Sequence, residues 1–346
     1  EGVQEVSNGS FSQEGVELLS QPVNLVTDFV ENGGGVIVDA DTFETFGGSF
    51  DGIKKSFLVV GKSYKLVIEG DTTSSGFTIG SNVASGNEYG SGFGTHYFTA
   101  VVNSFLWLRQ KTSGTTNITS FSIVEVGQDW TLGTGWSIGE DKAIKTSGTG
   151  SSLVQSVPTT TIGKTYKLTF DTIVTSGVAN ATLYGITIPI FSTSGSQEHF
   201  ITATSTSGFN FYGNDFFNGS ITNISVKEVG MDWGLNNWSV GDSLVSSGIS
   251  SFLVQSNVYT STTNIYKTTF RARSVSGTSV TLRLYDGADN YETFTITSSE
   301  FQNFELTRQR QGTNSILYLY NNSNAEIEIT NISVIEITDD TNLPRI

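Results

Sequence analysis

Tryptophans and glutamates recur along this chain at spacings that invite a chemical reading. Trp130 with Trp136 and Trp233 with Trp238 stand in "DWTLGTGWSIGED" and "DWGLNNWSVGDS", and Trp107 lies in the aromatic run "SFLWLRQ". An aromatic ring can stack on the apolar face of a pyranose while Asn, Asp and Gln hydrogen-bond around it. Trp107, Trp130, Trp136, Trp233 and Trp238 are therefore candidate sugar contacts. The competing reading is that the first Trp of each pair plugs a core and the second covers a sheet edge. Glu125, Glu228 and Glu336 close the related phrases "FSIVEV", "ISVKEV" and "ISVIEI". Each shares strand parity with the apolar residues before it, as Glu228 does with Ile224 and Val226, so each should point inward at the end of its sheet. A carboxylate there needs a cation or donors unless the strand end is solvated.

Other chemistry has weaker support. His96 and His199 lie a whole unit apart, cannot share an ion or a dyad, and read as ordinary strand residues. The acidic stretch "DADTFETF" at Asp39 to Phe46 could supply the two carboxylates of a glycosidase. It recurs nowhere and has no supporting aromatic or basic groups nearby. There is no phosphate-cradling glycine loop, zinc-type His pair or nucleophile elbow, so no catalysis is expected.

The elements that must position these residues follow from repetition. "GKSYKLVI", "GKTYKLTF" and "TNIYKTTF" place Tyr64, Tyr166 and Tyr266 at intervals of 102 and 100 residues, and the three glutamates follow at 103 and 108. Solenoid coils and propeller blades repeat every ~20–50 residues, so each unit is a whole domain. The units are expected at residues 1–127, 128–230 and 231–346. In "YKLTF", Tyr166, Leu168 and Phe170 share one face, the alternation of a half-buried strand. The chain has 38 Gly, 23 Phe, 4 Pro and no long helical pattern. That profile predicts an all-β protein of three tandem antiparallel β-sandwiches, jelly rolls in form.

Composition narrows the partners. A formal charge of −15 repels phosphate backbones and anionic bilayers, and no apolar run approaches the ~20 residues of a spanning helix. Neither nucleic acid nor membrane is expected. The absence of Cys excludes disulfides, thiol catalysis and thiolate metal sites. The start at Glu1 and the unpunctuated end "DDTNLPRI" suggest a piece of something longer. "GVQEVSNGSFSQEG", Gly2 to Gly15, reads as the end of one strand followed by a new unit, which implies a preceding domain.

A resemblance sharpens this reading. "FFNGSITNISVKEV", Phe216 to Val229, resembles the closing strand of carbohydrate-binding-module-like, or galactose-binding-like, jelly rolls. "ITDDTNLPRI", Ile337 to Ile346, looks like a junction in the fibre and adhesion proteins of tailed bacteriophages. Unit one departs from the pattern, offering "NLVTDF" where the others open on "DW". The resemblance implies a non-enzymatic virion-surface protein, a tail or head fibre or decoration, that attaches to host cell-surface or extracellular glycan. It implies glycan or other virion proteins as partners, a homo-oligomer, and a virion-surface or extracellular location. It also implies a structural calcium near the last strand, bound by Glu125, Glu228 and Glu336, with Asp129 and Asp232 either joining the site or capping the turn. Two other roles stay open: a purely structural capsid or tail component, and a secreted bacterial adhesin or accessory module of a polysaccharide-degrading enzyme.

Overall fold

The phrases that recur along the chain are neighbours in space. The structure, a computed structural model, describes residues 4–48, 50–81, 88–156, 161–189, 191–248, 250–286, 291–310 and 313–337. Tyr64 stands opposite Glu125 in an antiparallel ladder, and Tyr266 stands opposite Glu336. Both tyrosines are buried, and both hydroxyls pin the loop before their own strand. Val59 N donates to the Tyr64 hydroxyl at 2.7 Å, and Thr260 N and Ser261 N donate to that of Tyr266 at 3.1 and 3.0 Å. The tyrosine and glutamate phrases thus recur together because they form one structural joint.

Each repeat pairs two antiparallel sheets with the same strand order. In the first, one sheet runs Gly35–Ile37, Thr42–Thr45, Gly114–Val126, Ser63–Thr72, Gly94–Thr99, and Glu14–Glu17 also pairs with Gly114–Val126. Its second sheet runs Val30–Asn32, Gly52–Ser56, Phe105–Gln110, Phe77–Gly80, Gly90–Ser91. The second repeat gives Trp136–Gly139, Lys142–Lys145, Asn218–Val229, Thr165–Ser176, Gly195–Thr202 and, in its other sheet, Thr131–Leu132, Ser151–Gln155, Phe209–Gly213, Ala179–Leu183, Ile186–Thr187. The third gives Trp238–Val240, Leu244–Ser246, Ile327–Ile337, Ile265–Ser274, Gln302–Gln309 and Trp233–Asn236, Ser251–Gln255, Leu317–Asn321, Val280–Asp286, Tyr291–Ile296.

The protein is therefore all-β, built of tandem β-sandwiches. One helical turn among the described residues, Leu25–Asp28, is started by Asn24, whose side chain accepts from Val26 N. The chain divides into two compact bodies, one of Gln4–Gly163 with Leu168–Lys227, the other of Lys164–Lys167 with the chain from Glu228 onward. The first carries two sandwiches, short of the strand ends just named, and the second carries the third.

Strand parity decides what is buried. In the first sandwich Leu66, Ile68 and Ile123 of one sheet meet Ile53, Leu106 and Leu108 of the other. In the third, Phe270, Ile327 and Ile329 meet Leu253, Leu284 and Leu319. In the second, Phe211 lies edge-on to Phe170 and to Trp136, at 6.0 and 5.7 Å. Burying each such side chain stabilises the fold by about 1.5–3 kcal/mol.

Each closing strand is interrupted at the same place. Asn223 and Asn331, in the shared "TNIS", adopt φ of 53° and 52°, a left-handed conformation that Asn tolerates. The ladder shifts register beside this position in the first and third sandwiches, the mark of a β-bulge. Before the bulge the strand pairs with Thr42–Thr45, Lys142–Lys145 or Leu244–Ser246.

Candidate functional site

The alternation "ILYLYN" sends Leu317, Leu319 and Asn321 into the third core and leaves Tyr318 and Tyr320 on the outer face of the sheet. Neighbouring strands add rings to that face. Register sets Phe252 opposite Tyr320, Tyr285 opposite Tyr318 and Tyr291 opposite Tyr285. Phe252 stacks on Tyr318 at 5.2 Å, Tyr318 on Tyr320 at 6.3 Å, and Tyr285 meets Tyr318 edge-on at 5.3 Å. Tyr291, 42% exposed, lies 5.0 Å from Tyr285. The result is a continuous aromatic platform crossing four strands.

Polar groups rim this platform. Arg283 shares the face, its guanidinium 4.5 Å above the Tyr291 ring, and its Nε is buried with no partner among the described residues. Asn236 sits opposite Phe252 on the edge strand, and the Tyr320 hydroxyl reaches Ser250 Oγ at 3.4 Å. Burial, and then the neighbouring phenols of Tyr285 and Tyr320, push the Tyr318 hydroxyl above its ordinary pKa. It is therefore protonated at neutral pH and able both to donate and to accept. A row of rings edged by a guanidinium, an amide and hydroxyls matches the apolar faces and hydroxyl edges of a sugar chain.

The other sandwiches carry different residues in the same place. Ile53, Leu153 and Leu253 are equivalent, so the residues across from them align Trp107 with Asn210 and Tyr318, and Arg109 with Tyr212 and Tyr320. In the first sandwich the face is sealed: Trp107 is 2% exposed, Phe50 stacks over it at 6.1 Å, and Arg109 lies 5.1 Å above its ring. In the second it is mostly polar, with Asn180, Thr182, Asn210 and Tyr212 along it.

The sequence-predicted sugar contacts are corrected by burial. Trp107, Trp130, Trp136 and Trp238 are between 2% and 8% exposed and have no open ring face for a pyranose. Trp130 packs on Phe11 and Phe209, and its Nε1 donates to Asn8 O at 3.2 Å. Trp136 packs on Phe211 and Phe217, and its Nε1 donates to Ser151 O. Trp238 belongs to the third core. Trp233 alone of the five is half-buried, on the wall of a groove.

The carboxylates have protein partners. Glu125 pairs with Lys62 at 2.9 Å and Glu228 with Lys164 at 3.1 Å. Glu336 accepts from Asn264 at 2.6 Å, Thr260 at 2.8 Å and the Tyr266 hydroxyl at 3.3 Å. Asp129 and Asp232 are exposed in the turns that follow, Asp129 at φ 74°. Calcium takes six to eight oxygen ligands, and no group of three or more His, Asp or Glu gathers among the described residues. Among the described residues these carboxylates do not gather into the calcium cage that the resemblance implied. The histidines stay apart: His96 Nε2 meets Gly92 O at 2.9 Å, while His199 stacks on Phe170 and burial lowers its pKa. The acidic stretch bends at Asp39–Asp41, where Asp41 N donates to Asp39, and runs on into the strand Thr42–Thr45.

The platform tyrosines went unassigned in the sequence reading, although the alternation in "ILYLYN" carried the signal: it leaves two rings on the face that the core does not need. No protein-family model matches the chain, and no curated protein matches it. Among solved structures it is similar to the N-terminal CBM22-1-CBM22-2 tandem domain of Xyn10C from Paenibacillus barcinonensis. That likeness has 10% identity and a TM-score of 0.24, and covers 61% of this chain and 94% of the other. The case for a ligand rests on the side chains themselves.

Proposed function

We propose that this chain is a non-enzymatic glycan-binding protein whose sugar site is the outer sheet face of the third sandwich. The observation that carries the reading is the platform of Phe252, Tyr285, Tyr291, Tyr318 and Tyr320, rimmed by Arg283. Stacked rings a few ångströms apart present a long, shallow surface, suited to several residues of a polysaccharide chain rather than to one enclosed monosaccharide. Such contacts are individually weak and gain by repetition along a polymer or among copies of the protein.

The wider role in this reading is attachment, outside the cell or on a virion surface, as a phage fibre, adhesion or decoration component. It rests on the sequence resemblance of the closing strands and of "ITDDTNLPRI". The test is titration of the folded protein with host-cell polysaccharide beside Tyr318→Ala and Tyr320→Ala. Saturable binding weakened about tenfold or more in either variant, the loss expected of a truncated aromatic anchor, supports the reading. Binding that is absent, or indifferent to both changes, removes it.

A further inference from the structure

Beyond its bulge, each closing strand has a second edge, and in two sandwiches that edge is filled. In the first, Glu14–Glu17 lies along it, with Glu14 opposite Val126 and Glu17 opposite Val124. In the second, the filler is the distant segment Gln4–Phe11. Gln4 bridges to Lys227, Glu5 N donates to Val226 O at 2.8 Å, and Ile224 N donates to Gly9 O at 3.0 Å.

The two fillers use the same contacts at equivalent positions. The Glu17 carboxylate accepts from Ile123 N at 2.7 Å and Ser122 Oγ at 2.6 Å. The Gln4 side-chain oxygen accepts from Val226 N at 2.8 Å and Ser225 Oγ at 3.1 Å. The next N–H, of Leu18 or Glu5, donates to the carbonyl of Ile123 or Val226. The residue after that, Leu19 or Val6, is buried. Farther on, Phe11, 1% exposed, fills the recess beside Trp130, and Thr222 Oγ1 donates to Ser10 O.

Among the described residues the third sandwich has the acceptor without a filler. Thr330–Val334 repeats the "TNISV" of Thr222–Val226 letter for letter. Past the bulge, the closing strand pairs with Ile265–Ser274 and with no other strand among the described residues. Ile332 and Val334 are half-buried, whereas Ile224 and Val226 are fully buried. The recess that Phe11 fills in the second sandwich is here a groove of about 340 Å³, walled by Trp233, Val240, Asp242, Leu244, Thr330 and Ile332. Both polar groups of Val226 turn toward its filler, so the equivalent N–H and carbonyl of Val334 turn toward this open edge. Unpaired groups of this kind are a template for strand addition.

We propose that this edge binds, antiparallel, an extended segment of a separate protein. The segment carries Glu or Gln opposite Ile335, an aliphatic residue two positions on, and an aromatic or other large apolar side chain farther on to enter the groove. Both intramolecular fillers share the first two features, and Phe11 of Gln4–Phe11 supplies the third; the pattern is independent of the glycan reading.

The test is titration of the full chain, by fluorescence anisotropy, into a labelled peptide with the sequence of residues 4–11, QEVSNGSF. The expected result is saturable binding that leaves the oligomeric state of the chain unchanged. It weakens about tenfold with peptides bearing Gln4→Ala or Val6→Asp and with the chain variant Val334→Pro, and severalfold with Ser333→Ala. Ser225→Ala in the chain leaves it unchanged. The peptide variants keep the test sound if Val334→Pro fails to fold. Absent binding, equal binding of a scrambled peptide, or loss with Ser225→Ala instead of Ser333→Ala would overturn the proposal. Self-association of the chain that the peptide blocks would overturn the separate partner and give the edge to a second copy's Gln4–Phe11.

Discussion

Trp107 and Tyr318 occupy the same position in two copies of one fold and have opposite fates. Both sit on the middle strand of the second sheet, facing outward, beside an inward leucine that fills the core. Over Trp107 lie Phe50, itself 52% exposed, and Arg109, so the tryptophan is sealed while its cover meets solvent. Around Tyr318 the rings of Phe252 and Tyr320 stack against it without sealing the row, whose members are half-buried or, at Tyr291, exposed. The difference teaches that ring type ranks a binding site poorly. What covers a ring decides whether its face is open to a ligand at all.

That contrast can be broken by exchanging readouts. Trp107→Ala should behave as a core truncation and cost about 3–5 kcal/mol, seen as a lower melting temperature, with polysaccharide affinity unchanged. Tyr318→Ala should reverse the pattern, losing about tenfold in affinity with a far smaller shift in melting. If Trp107→Ala instead lost glycan binding with little loss of stability, the assignment of the two faces would be inverted.

A second prediction concerns the loop that carries the cover. The Asp51 carboxylate accepts from Gly34 N at 2.6 Å and Gly48 N at 2.7 Å, and these bonds, Gly34 first, hold its pKa below the ordinary 3.8. The folded state binds the proton less readily than the unfolded chain. The stabilisation is therefore present in full above the ordinary carboxylate range and is lost as pH falls through the lower folded value. Asp51→Asn should melt lower than the parent at pH 7, and the gap should narrow as pH falls below about 4. A gap that persists unchanged in acid would show that shape, not charge, matters at this position.

Much of the fold was legible because strand alternation and repetition are local signals. "YKLTF" and "ITNISVKEV" announced two strands per repeat, and their recurrence every 100–108 residues announced tandem β-sandwiches. The site was less legible because parity names a face without saying whether anything lies above it. Trp136 and Tyr318 both read as aromatic residues in strands, and only the packing of Phe211 and Phe217 against Trp136 separates them. The filler Gln4–Phe11 was read as a strand end leading into a new unit. Its contacts lie with Ile224 and Val226, more than two hundred residues away, and no local pattern encodes such a pairing.

The smallest effect tests the cover directly. Phe50 contacts solvent on one side and Trp107 on the other, so Phe50→Ala removes little buried area from water but opens one face of the indole. Stability should fall by about 1 kcal/mol or less, in keeping with a half-exposed side chain. Collisional quenching of tryptophan fluorescence should rise, because one of five indoles gains a solvent-facing surface while the other four keep their surroundings. If Trp107 then binds sugar weakly, with Arg109 still above part of its ring, the first and third sandwiches share one latent site that a single side chain switches. If it gains quenching but no sugar, the ring row of the third sandwich, rather than any one exposed aromatic, is what recognition requires.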